Sequence, residues 1–132
     1  MIINVTPDKE KARSFLGLIE NRERFASSID LNRFSTIATE NYYEIIKELA
    51  TIVLLLDGLK SVGENSHKEL IDCLSRYEEL SEEDRGLIDD LRIKRNRSSY
   101  EGKMIDKSYL ENKKGKLLEI IKKLKRLANS KL

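Results

Sequence analysis

Between Ile45 and Leu59 the apolar residues recur at alternating spacings of four and three: Ile45, Leu49, Ile52, Leu56 and Leu59. Ile46, Ala50 and Val53 widen that stripe until it covers more than half of a helical cylinder. A helix with so little polar circumference has to be enclosed on several sides, which makes it the centre of a bundle. The spacing predicts this helix from about Ser35 or Thr36 to Val62, with Gly58 as an interruption that lets a neighbour approach and Gly63 as its C-cap. The remaining chain reads as helices that surround it. Thr6-Pro7-Asp8 is a helix start, followed by an inner face of Ala12, Phe15, Leu16, Ile19 and Ala26. Ser66 and Glu69 have capping-box spacing and open a third helix to about Glu79, with Leu70, Ile71, Leu74 and Tyr77 inward. Ser81-Glu82-Glu83-Asp84 starts a fourth that stops at Gly102, and a fifth runs from about Asp106 to Asn129 over Leu117, Ile120, Ile121, Leu124 and Leu127. The expected fold is all-α, an antiparallel bundle of four to five helices in one domain spanning 1–132, with no strand.

At 132 residues the chain can bury roughly two thirds of its unfolded surface. No N-terminal basic-plus-apolar leader is visible, and the run Ile52–Leu56 is far short of the ~20 apolar residues a membrane span needs, so a cytoplasmic protein with no membrane partner is expected. The lone Cys73 allows no internal disulfide and reads as core. One His and one Cys do not make a zinc set, so neither metal nor cofactor is expected. Charge is divided along the chain. Residues 1–91 hold 11 Lys/Arg against 19 Asp/Glu, whereas residues 92–132 hold 14 against 4. Three arrangements fit that division: an acidic and a basic face, two subunits meeting head to tail, or helix surfaces whose charges pair on folding.

One position breaks the pattern. Leu87, Ile88 and Leu91 form an apolar stripe on the fourth helix, and the next turn of that stripe is Arg95, followed by Ser98 and Ser99. A guanidinium placed where a leucine is expected needs a partner. Such breaks concentrate at functional sites. Arg95 either grips a phosphate with two parallel hydrogen bonds or pairs with Glu44 or Glu48 and locks helices together.

Arg95-Asn96, three residues, Tyr100 and then Gly102 resemble the Arg-Asn-x-x-x-His signature of HEPN domains, small helical modules of toxin–antitoxin and RNA-cleaving systems. Asn41-Tyr42-Tyr43-Glu44, Leu55-Leu56-Asp57-Gly58-Leu59-Lys60 and Ser66-His67-Lys68 add to the resemblance, which covers about residues 36 to 128. It implies a homodimer whose Arg95 regions line a shared cleft. It also implies an RNA- or nucleotide-binding protein of a stress or defence system, with Arg95, Asn96 and Tyr100 as catalytic candidates. Glu44, Glu48, Arg92, Arg97 and Ser98 are the binding candidates. Tyr100 stands where the family has His. A tyrosine, with an ordinary pKa of about 10, is a poor general base near neutrality, which weakens a metal-independent ribonuclease activity. The alternative is a non-catalytic protein that pairs with a nucleotidyltransferase-like partner. His67, the only histidine, reads as a surface or capping residue. Lys113, Lys114, Lys116, Lys122, Lys123, Lys125 and Arg126 on the last helix read either as a phosphate-tracking face or as solvated surface.

Overall fold

The structure, a computed structural model, describes residues 1–132. Five helices form, α1 (Lys9–Ser28), α2 (Leu31–Leu56), α3 (Ser66–Cys73), α4 (Glu82–Glu101) and α5 (Lys107–Ser130). α2 touches the other four, as its apolar circumference requires. It is buried at Ile45, Ile46, Leu49, Ala50, Ile52 and Val53. Two residues separate α1 from α2, so the chain doubles back there. Pairings of Glu44 with Arg95 and Glu40 with Ser98 run α2 antiparallel to α4. Tyr109 to Asp90 and Lys116 to Glu83 do the same for α4 and α5. α2 and α5 are therefore parallel, joined at one end by Lys107 to Asn32 and at the other by Lys131 to Asp57. This is the up-down-up-down order of a helical bundle around one contiguous core.

The chain also contains strands. β1 (Ile2–Asn4) and β2 (Leu59–Ser61) pair antiparallel, with Ile3 opposite Lys60. The central helix accordingly ends at Leu56 rather than near Val62, and Leu59, which kept the helical period, is the first residue of β2. Gly58 is the reason. Its φ of +76° turns the chain out of the helix, and its missing side chain lets the backbone lie beside Val5, whose N–H donates to the Gly58 carbonyl at 2.8 Å. The neighbour that approaches there is backbone of the β ribbon, not a helix. Gly63 lies past β2 and caps no helix.

Caps decide the other boundaries. Asp8, not Thr6, is the N-cap of α1 and accepts from the Lys11 N–H at 2.9 Å. α2 starts at Leu31 behind Asp30, and Phe34 kinks it (φ −131°, ψ 36°) just before Ser35, where the sequence pattern resumes. Ser66 is the first helical residue of α3 behind Asn65, so its expected capping box is absent; α3 ends at Cys73 and one 3₁₀ turn, Leu74–Arg76, follows. At Ser81 the box does form, with Asp84 as its partner, and Gly102 closes α4 at φ +68°. On α5 all five expected inner residues are buried. No helix is long and apolar enough to cross a membrane.

Candidate functional site

α2 is apolar on most of its surface but carries Glu40, Asn41, Glu44, Lys47 and Glu48 at helical i, i+3 and i+4 spacing, one polar stripe on the core helix. α1 and α4 meet it from either side. From α1, Arg22 grips Glu48 in a closed pair, its Nε 3.1 Å from both carboxylate oxygens and its Nη2 3.0 Å from Oε1. Asn41 donates to the Arg22 carbonyl at 3.0 Å, which fixes the turn that carries this arginine. Glu48 is thereby committed, and Arg95 turns to Glu44 instead.

Arg95 sits in the groove between α2 and α4 with 19% of its side chain exposed. Its grip is looser than that of Arg22. One Nη2 reaches Glu44 Oε1 at 3.4 Å, the other nitrogen reaches the Asn96 side-chain oxygen at 3.4 Å, and the guanidinium lies 5.4 Å from the centre of the Tyr43 ring. Glu44 has a second, tighter partner, Lys47 at 2.6 Å. One turn along, Glu40 accepts from Ser98 at 3.3 Å and from Ser99 at 3.1 Å. Arg92 folds onto Asp89 of its own helix at 2.9 Å. Arg22, Glu40, Glu44, Arg95 and the apolar Phe25 and Ile37 line a groove of about 520 Å³.

Two further groups, Tyr43 and His67, lie outside the groove lining. Tyr43 is 1% exposed, and its hydroxyl has no hydrogen-bond partner. Burial pushes its pKa up to about 12; the nearby Arg95 and Arg92 charges oppose that rise and Glu44 adds to it. On the α3 side, the His67 ring lies 6.1 Å from the Tyr43 ring. Burial holds the imidazole below its ordinary pKa, and the Lys47, Arg95 and Arg92 charges add to that depression. The only histidine thus packs beside Tyr43 and lines a separate cleft with Lys47, Lys60 and Leu70. No sequence spacing announces this, because it depends on how α3 packs against α2.

The other expected site residues disperse. Tyr100 is 78% exposed and stands outside the groove. Arg97 is exposed and lines a different cleft, toward α5. Asn96 stays beside Arg95, and Ser98 reaches the groove only at Glu40. No three His, Cys, Asp or Glu side chains converge as metal ligands.

The fold and this polar seam define a helical bundle with a half-buried arginine at a groove between helices. No family model matches the chain, and neither a curated protein nor a solved structure is similar to it at a significant level.

Proposed function

We propose that the groove binds the phosphate of an RNA or nucleotide through Arg95, in a cytoplasmic HEPN-like protein of a stress or defence system that works as a homodimer. The observation that carries this reading is the contrast between the two arginines on the α2 stripe. Arg22 and Glu48 close a fork on each other, which is how a structural pair looks. Arg95 holds Glu44 by one 3.4 Å contact, although a guanidinium has five N–H donors. A phosphate that takes Arg95 leaves Glu44 still neutralised by Lys47. Metal-independent strand cleavage belongs to the same reading in weak form, since Tyr100 stands outside the groove and the only imidazole, His67, lines a separate cleft with Lys47 and Lys60.

The exposed Phe25 and Ile37 on the groove rim, 46% and 51% accessible, favour a second reading. In it the groove is a contact surface for a nucleotidyltransferase-like partner and no RNA is touched.

Fluorescence anisotropy with labelled single-stranded RNA and with ATP separates the two readings. Phosphate binding at Arg95 predicts a salt-sensitive affinity that falls about tenfold or more in Arg95→Leu while the melting temperature stays or rises, since Lys47 keeps Glu44 paired. Incubation of the RNA in chelator then reports cleavage, which Arg95→Leu should abolish. An Arg95→Leu protein that melts far lower and binds as before would mark the arginine as structural.

A further inference from the structure

Along the basic segment 92–132 the cations fall into two sets. Arg92, Arg95, Lys116, Lys123, Lys125 and Lys131 each reach a carboxylate between 2.7 and 3.4 Å away. Lys94, Arg97, Lys107, Lys113, Lys114, Lys122 and Arg126 reach none within 4 Å, and Lys103 has only Glu101 at 3.9 Å. Of these eight, Lys94, Arg97, Lys103 and Lys113 come together in one cleft of about 460 Å³, formed by the C-terminal half of α4, the loop after Gly102 and the first turns of α5. The cleft has a single carboxylate, Asp106, which is already occupied in capping the Ser108 N–H at 3.0 Å.

We infer that this α4–α5 cleft is a second binding site, which holds the phosphodiester backbone of a single-stranded nucleic acid. Unpaired cations gathered in a concave place repel one another and gain when a polyanion enters. Their spread over two helices and a loop suits successive phosphates better than one. Tyr109, part-buried against the core, builds the cleft wall and carries Lys94 over its ring. Its hydroxyl donates to Asp90 at 2.8 Å, which fixes the ring, and Lys94 Nζ lies 5.5 Å from the ring centre. The Asn112 amide lines the same wall and adds both a donor and an acceptor. Arg97 and Arg95 lie on different faces of α4, so a strand in this cleft crosses the helix to reach the groove. The inference thus rests on the reading of RNA as ligand and gives that strand its track.

The test is a salt titration of binding to a labelled single-stranded RNA of about 20 nucleotides. A triple variant Lys94→Glu, Arg97→Glu, Lys113→Glu is compared with Lys114→Glu, Lys122→Glu, Arg126→Glu, which changes net charge equally on cations that line no part of the cleft. The cleft variant should bind about tenfold or more weakly, with a log–log salt slope shallower by about 2, while the control moves less than about threefold. The Gln versions of the three cleft residues should show the same order, which guards against misfolding from charge reversal. Equal losses in both triples, or an unchanged cleft variant, overturns the inference and leaves Arg95 binding intact. If wild type binds no RNA, the RNA reading itself fails. Amide shifts are then followed by NMR on adding sodium triphosphate: movement of Ser108, Asn112 and Lys113 keeps the cleft as a phosphate site, and their silence removes it.

Discussion

His67 is the residue through which pH acts on this part of the bundle. The imidazole is held below its ordinary value of 6.5, first by burial and then by Lys47 and Arg95, so the unfolded chain takes up this proton more readily than the folded one. The sign follows: stability from this group is complete above about pH 6.5 and is lost as pH falls from there toward the depressed folded value. His67→Gln should therefore flatten the fall in urea midpoint between about pH 7.5 and pH 5, and a variant with the wild-type slope would show that the histidine does not carry it. Arg95 was legible from sequence because it interrupts a period that the eye can follow from Leu87 to Leu91. Which glutamate it meets was not, since Glu44 and Glu48 share one stripe and only the Arg22 side chain from α1 separates them.

At the scale of elements, caps and breakers were readable where one residue type acts alone, and obscured where two signals overlapped. Ser81 with Asp84 and Gly102 bound α4 as expected. Leu59 continued the spacing of α2 past its true end, and strands of three residues are too short to show an alternation of their own. Gly58 resolves that overlap and is the most exacting backbone position. A Cβ there would meet the Val5 carbonyl oxygen at 3.1 Å in addition to the positive φ, whereas at Gly102 it would meet nothing within 4 Å. Gly102→Ala should lower stability by about 1–2 kcal/mol from the left-handed backbone alone, and Gly58→Ala by more. Urea denaturation of the two variants side by side checks the order, and equal losses would mean that the β ribbon does not hold α2's end in place.

Across the whole molecule, part of the charge division along the sequence is answered within the chain. Lys116 with Glu83, Lys123 with Asp84, Lys125 with Glu23 and Lys131 with Asp57 join the basic segment to the acidic one. Burial alone would raise the Asp57 and Asp84 pKa values, but hydrogen bonds from Tyr77 and Lys131 in one case, and from Lys123 and Ser81 in the other, outweigh it and lower both. The bundle is uneven in how it is held. α5 meets the core along its whole length, from Leu110 to Ala128, whereas α4 buries only Ile88 and Leu91, both in its first half. Beyond Leu91 that helix buries no residue and meets α2 through polar contacts, two serines on Glu40 and the loose Arg95–Glu44 pair. Half of α4 is thus latched by electrostatics to a wall sealed by oil, and ionic strength can loosen the latch while the wall stays shut. Amide hydrogens from Asn96 to Glu101 should exchange faster as salt is raised, with those of Ile88 to Leu91 unmoved. The two candidate phosphate grips lie on either side of that half-helix, so a strand that seats there would be felt as a stiffening of a segment that no buried side chain pins.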